Sequence, residues 1–128
     1  MDTPTIFVGL LIWLQMKHFV ADYLLQPEWI IDGKGDFRKP GGYVHAGLHV
    51  IGSLPALYFV GLDAITVALL ASAEFAVHYL TDHAKAVHAR HHPHPTNTRA
   101  FWALHGADQL MHHLTYSWLL LVSFGSGR

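Results

Sequence analysis

Glu74-Phe-Ala-Val-His78-Tyr-Leu-Thr-Asp82 closes an apolar run that starts at Ala64. Spacing of four puts Glu74, His78 and Asp82 on one face of a single helix. Three ionisable groups stacked on an otherwise apolar helix are costly unless they bind something. The same spelling occurs earlier as His18-Phe-Val-Ala-Asp22, and two further pairs, His45/His49 and Asp108/His112, complete a set of four. The pattern predicts four helices gathered around these pairs.

The composition fits that prediction. A chain of 128 residues suggests one domain, 1–128. Hydrophobic residues make up 52% and charged residues only 13%, against about 25% charged in soluble domains. The formal net charge of −1 gives no argument for nucleic acid. Cysteine is absent, which excludes disulfides and thiolate metal sites. The outlier is histidine, with 12 residues. His88, His91, His92 and His94 read as surface groups in a loop; those inside apolar runs do not. At the N-terminus, Asp2 stands where a signal peptide is basic, and no small-x-small site follows, so the first helix is expected to be retained.

Helices are expected at about 5–26, 43–60, 64–89 and 100–124, with loops at 27–42 and 90–99. Pro4 suits a first turn and Pro27 stops the first helix. Pro27, Gly33, Gly35, Pro40, Gly41 and Gly42 read as breakers, with Trp29-Ile30-Ile31 a short interfacial segment among them. Pro55 is expected to kink the second helix, and Asp63 to cap the third. Ser123, Gly125, Ser126 and Gly127 read as a frayed tail. Lys17 and Lys85 are expected to snorkel to an interface.

A spanning helix needs roughly 20 apolar residues. The second predicted helix comes close, and the others carry shorter apolar segments extended by a polar end. We therefore expect an all-α, four-helix transmembrane bundle, in preference to a soluble bundle with a very apolar core. Trp13, Trp29, Trp102 and Trp118 would serve as interfacial anchors. Lys34, Arg38, Lys39, Arg90 and Arg99 lie in or beside the two long loops, while the opposite side offers Asp2, Asp63 and Arg128. The positive-inside rule then predicts a multi-pass protein of the inner (plasma) membrane with its site facing the cytoplasm.

In an antiparallel up-down-up-down bundle, all four pairs fall at the same end. A repeat reinforces this: an offset of 60 residues relates His18 to His78 and Asp22 to Asp82, and an offset of 63 relates His45 to Asp108 and His49 to His112. The chain reads as two repeated helical hairpins with one ligand plan.

Imidazole and carboxylate at i and i+4 can bind one ion from one helix face. His18, Asp22, His45, His49, His78, Asp82, Asp108 and His112 are the candidate metal ligands. Zinc takes three or four, so the set suggests one or two ions. Nitrogen and oxygen donors without sulfur suit zinc first, then manganese or iron. Glu74 and Asp108 are candidate general bases. Against this stands the plain alternative that a histidine in an apolar helix is a hydrogen-bonded core residue; four pairs at one end make that hard to sustain. Glu74 and His105 are spare ligands, and Gln26 and Gln109 candidate hydrogen-bond partners of ligands.

The strings His18-Phe-Val-Ala-Asp22-Tyr-Leu-Leu-Gln26, Val44-His45-Ala-Gly-Leu-His49, Glu74 to Asp82 and Asp108-Gln-Leu-Met-His112 resemble the bacterial and phage family called domain of unknown function 3307. That resemblance covers nearly the whole chain. It implies a small integral membrane protein with no agreed activity. The helical His-x-x-x-Asp is also similar to the membrane-bound metal-dependent hydrolases, a fold-level analogy.

The leading expectation is thus a metal-dependent hydrolase at the membrane surface, acting on a lipid headgroup, or on a small phosphoester or amide. A haem-binding electron carrier is the alternative, since facing histidines can ligate haem. A metal or proton pathway and a structural membrane subunit, homo-oligomeric or not, are the others. Membrane lipid is the expected partner, and nucleic acid is not.

Overall fold

Asp2 caps the first helix: its carboxylate accepts the Thr5 backbone N–H at 3.3 Å, and Pro4 sits in the first turn, where an N–H has no intrahelical partner. The structure, a computed structural model, describes residues 2–125. Helix α1 spans Thr3–Phe19 and runs straight into a π-helical turn, Val20–Leu24, closed by the Leu25 N–H on the Val20 carbonyl at 3.0 Å. Four further helices follow: α2 (Glu28–Gly33), α3 (Gly41–Phe59), α4 (Ala64–His91) and α5 (Arg99–Gly125). The fold is all-α, with no strand among the described residues.

Asp63 caps α4 as expected. Its carboxylate accepts the Thr66 hydroxyl at 2.6 Å and the Ile65 and Thr66 N–H groups at 3.0 Å each. The Thr66 bonds, from hydroxyl first and backbone second, hold the Asp63 carboxyl below the ordinary carboxylate range.

The four long helices close a ring. α1 packs on α3 and α5, and α4 packs on the same two, so that α1 faces α4 across the bundle and α3 faces α5. One end of the interior is apolar: Leu10 and Leu14 of α1 meet Leu57 of α3, Leu70 of α4, and Leu119 and Leu120 of α5. The other end holds buried His18, His45, His49, Glu74, His78, Asp82 and His112. Meanwhile Ile12, Leu69, Leu110 and Leu121 face outward, each 55–67% exposed. At the histidine end, polarity therefore runs inside-out relative to a soluble bundle.

Two helical stretches are long and apolar enough to cross a membrane, Thr3–Leu24 and Ala64–His91. Four such spans were expected. Embedded histidines lower the hydropathy of both α3 and α5, and glycines that of α3. α3 continues through Pro55, which lies within the helix.

Three details differ from expectation. The segment 27–42 is not a plain loop: α2 forms within it and buries Ile30 against α3. Its glycines are there for contact as much as for turning. A Cβ on Gly41 would lie 2.7 Å from the Trp29 and Ile30 carbonyl oxygens, and one on Gly33 would lie 2.7 Å from the Gly41 Cα. The tail is not frayed at Ser123 or Gly125, because α5 runs to Gly125 and the buried Ser123 hydroxyl donates to the Leu119 carbonyl at 2.6 Å; Ser126, Gly127 and Arg128 lie outside the described residues. Lys17 does not snorkel. Its Nζ is buried and donates to Glu74 Oε1 at 2.6 Å and to the His49 carbonyl at 2.8 Å. The bare Gly52 backbone leaves room for its stem, since a Cβ there would sit 3.1 Å from Lys17 Cδ.

Gly41→Ala is accordingly expected to cost about 1–3 kcal/mol, through forced separation of α2 from α3. Gly106→Ala on α5, where a Cβ meets nothing within 4 Å, is expected to gain up to about 1 kcal/mol from helix propensity. Thermal unfolding of the two variants in detergent, followed by circular dichroism, checks the opposite signs.

Candidate metal centre

The end of α1 and its π turn deliver His18 and Asp22; the start of α3 delivers His45 and His49; late α4 delivers His78 and Asp82; mid α5 delivers Asp108 and His112. All eight meet at one end of the bundle, as the antiparallel order requires. Asp22 is half-buried and the other seven are buried.

Two carboxylates organise the cluster. Asp22 Oδ1 lies 2.9 Å from His49 Nε2 and 3.1 Å from His45 Nε2, and its Oδ2 lies 3.2 Å from His18 Nε2. Asp82 Oδ1 lies 3.1 Å from His112 Nε2, and its Oδ2 lies 3.3 Å from His45 Nε2 and 3.6 Å from His78 Nε2. The sequence repeat has a spatial counterpart: α1 with α3 makes the contacts His18–Asp22–His49, and α4 with α5 makes the equivalent contacts His78–Asp82–His112. His45 Nε2 joins the two halves by approaching both carboxylates.

His45 Nε2 and His78 Nε2 are buried and take part in no hydrogen bond despite these short separations, whereas Asp82 Oδ2 has the Lys34 ammonium 2.7 Å away. Buried polar atoms are nearly always satisfied. Two groups can hold a metal ion: Asp22, His45, His49 and His78, and separately His78, Asp82 and His112, with all ligand atoms of each group within 4.8 Å of one another. The donor chemistry, imidazole and carboxylate in sets of four and three, fits a divalent ion.

The remaining candidates sit around this centre. Asp108 Oδ2 accepts from Lys85 Nζ at 2.8 Å and from Gln109 Nε2 at 3.1 Å, while its Oδ1 lies 3.5 Å from His112 Nε2 with no aligned partner. Glu74 lies one turn toward the apolar core, where Lys17 and the Ser53 hydroxyl, at 2.8 Å, both donate to its Oε1. His105 Nδ1 is 3.4 Å from Lys85 Nζ. Gln26 donates to the Asp22 carbonyl at 2.7 Å. His91, His92 and His94 are exposed and belong to neither metal-capable group.

Three neighbours carried no signal recognised in the sequence. Lys34, at the end of α2, places Nζ 2.7 Å from Asp82 Oδ2. Tyr116 places its hydroxyl 2.8 Å from His18 Nδ1 and 3.2 Å from His49 Nδ1. Lys17 also lies over the Tyr116 ring, 4.4 Å from its centroid. Tyr116 follows His112 by four residues, so the helical spacing that picked out the ligand pairs also reaches it.

Beside the cluster, α4, α5 and the loop between them form a half-open cavity of about 430 Å³. Phe101, Leu104, Met111 and Ala89 give it apolar walls, and Lys85, His105 and Asp108 stand at its polar side. Asp108 thus lies between the cavity and His112.

A family model described as "protein of unknown function (DUF3307)" matches residues 10–126. No curated protein and no solved structure matches the chain.

Proposed function

The chain belongs to the DUF3307 family of proteins of unknown function, and we propose that it is a membrane-embedded, metal-dependent hydrolase. The observation that carries this reading is the convergence of Asp22, His45, His49 and His78, whose ligand atoms all lie within 4.8 Å of one another. Such a set is costly in a bundle interior unless a cation is shared among them. Zinc is the first choice, in one or both of the metal-capable groups. The rings of His45, His49 and His78 lie 3.8–5.1 Å apart, a packing that suits small ions better than a porphyrin plane.

A bilayer setting is supported by the inside-out polarity. At 1.5 Å per residue, the 22 residues of Thr3–Leu24 extend roughly 33 Å, enough for a hydrocarbon core of about 30 Å. The basic residues flanking the site end favour a cytoplasmic orientation.

A divalent ion supplies Lewis acidity and lowers the pKa of water toward about 7. The protein's own groups then divide the work. Asp108, which lines the cavity and whose Oδ1 lies 3.5 Å from His112 Nε2, is placed to take a proton from the attacking water. Lys85, partly exposed and beside it, is placed to stabilise negative charge developing on the substrate. Glu74 is the weaker candidate base, because Lys17 and Ser53 occupy its Oε1. The apolar walls around Lys85 and His105 suit an amphiphile whose phosphoester or amide head reaches the interface.

The test is elemental analysis of untagged protein purified in detergent, followed by assay of a panel of lipid-like phosphoesters and amides. Between about one and two equivalents of metal are expected, with turnover abolished by a chelator, restored by zinc and lowered about 100-fold or more by Asp108→Asn. Protein without bound metal that also fails to take up added zinc would overturn the reading.

A further inference from the structure

Hydrogen atoms around His18 and His49 can be placed by elimination. Gln109 Nε2 approaches two carboxylates, Asp108 Oδ2 at 3.1 Å and Asp22 Oδ2 at 3.4 Å. Both are acceptors, so the amide NH₂ must face them and the amide oxygen must face the other way. That oxygen lies 2.8 Å from His18 Nε2. Two acceptors do not sit at that distance, so His18 carries its hydrogen on Nε2 and donates it to Gln109.

With the ring's single hydrogen on Nε2, Nδ1 is bare and accepts the Tyr116 hydroxyl at 2.8 Å. A hydroxyl has one hydrogen, so the contact of 3.2 Å between Tyr116 and His49 Nδ1 needs its hydrogen from His49. With an ion held beside Asp22, His49 thus holds N–H on Nδ1 and its Nε2 lone pair faces that ion, Asp22 Oδ1 being 2.9 Å away. Every step then pairs a donor with an acceptor, and the last is two ligands sharing one ion with bonds of about 2 Å. Without the ion, two acceptors cannot meet at that distance, and Nε2 carries a hydrogen that it donates to Asp22 Oδ1.

We infer that His18 is not a ligand of the ion but the middle of a hydrogen-bond chain, Gln109–His18–Tyr116–His49, that fixes the tautomer of His49 and turns its Nε2 lone pair toward the metal position beside Asp22. This rests on the metal reading above and divides its ligand candidates into two classes. His49 belongs to a metal-capable group and His18 to neither. His18, by the repeat, is the counterpart of His78, which belongs to both. The two hairpins therefore share a plan without sharing roles: one imidazole ligates, and its counterpart orients. Gln109 and Tyr116 are positioning residues. A partner that sets a histidine ligand's tautomer is typically worth 10–100-fold in metal affinity.

The test is nitrogen-15 NMR of histidine-labelled protein in detergent, metal-free and titrated with zinc, beside zinc affinities by chelator competition. His18 is expected to carry hydrogen on Nε2 in both states, and His49 to carry it on Nε2 without zinc and on Nδ1 with zinc bound. Zinc is expected to move the Nε2 resonance of His49 and leave His18 an Nε2–H donor. Tyr116→Phe, which keeps the ring, and Gln109→Leu, at a half-buried position, are each expected to weaken zinc about 10–100-fold with helical ellipticity unchanged. His18→Ala combined with Tyr116→Phe is expected to lose no more than either alone, because both break one chain. His49→Ala is expected to lose more than any of them. Direct zinc coordination by His18 Nε2, or losses that multiply in the double variant, would overturn the inference. If wild-type protein takes up no zinc, the metal reading fails separately, and the metal-free tautomers still decide whether the chain exists: His18 bare at Nε2 sinks it.

Discussion

Asp22→Asn protein is expected to keep its fold and lose its metal, with affinity down at least about 100-fold. The carboxylate oxygens of Asp22 sit 2.9–3.2 Å from three imidazole nitrogens on two helices. Asparagine preserves the volume and one acceptor but removes the charge and turns a donor toward one side. If the three histidines were core residues satisfied by hydrogen bonds, that exchange would be mild. As a metal group it is severe, because a carboxylate ligand has been replaced by a neutral amide. Asp82→Asn should behave likewise at the opposite pair of helices, and its loss should be compounded by release of Lys34 from Asp82 Oδ2. His91→Ala and His94→Ala, on the exposed loop, should leave zinc affinity unchanged. Chelator competition, with circular dichroism as a check on fold, measures all four. Full occupancy in the asparagine variants together with loss in the loop variants would move the site to the loop and end the hydrolase reading.

Lys17→Met is expected to destabilise the protein by about 3–5 kcal/mol, the cost of leaving a buried carboxylate without its cation. Glu74 is fully buried. Without Lys17, its Oε1 keeps only the Ser53 hydroxyl, and its Oε2 has no hydrogen-bond partner already. Adding Glu74→Met to Lys17→Met should recover most of the loss, because an ion pair replaced whole by apolar groups is often neutral. Denaturant unfolding in mixed micelles measures both. A double variant no more stable than Lys17→Met would mean that Lys17 matters for its packing over the Tyr116 ring and not for its charge.

The convergence of the eight candidate residues was legible because each pair follows helical spacing, and the antiparallel order of four apolar runs left one arrangement that brings them together. That these positions are helical was legible for the same reason; the π turn that carries Asp22 was not. Lys34 was not. Its arrival at Asp82 depends on how α2 folds back on α3, and that path is fixed by backbone contact between Gly33 and Gly41, which in sequence look like ordinary breakers. Lys17 was misjudged because its partner Glu74 stands 57 positions away, and neither residue's spacing advertises the other. Tyr116 was passed over because a tyrosine on an apolar face reads as packing; only the two histidine Nδ1 atoms at its hydroxyl reveal another use.

The π turn at Val20–Leu24 has a consequence for how the two hairpins are spaced. A π turn is the form in which a helix absorbs one additional residue without breaking. Its counterpart segment in α4, residues 80–84, is regular α-helix. Equal offsets in the two pairs leave His18 to Asp22 the same count as His78 to Asp82, so the π turn changes the path of the chain without changing ligand spacing. From Asp22 to His45 is 45 − 22 = 23 positions, and from Asp82 to Asp108 is 108 − 82 = 26. The first hairpin thus returns to its second ligand pair three residues sooner, and α2, with Lys34, lies within that shorter return.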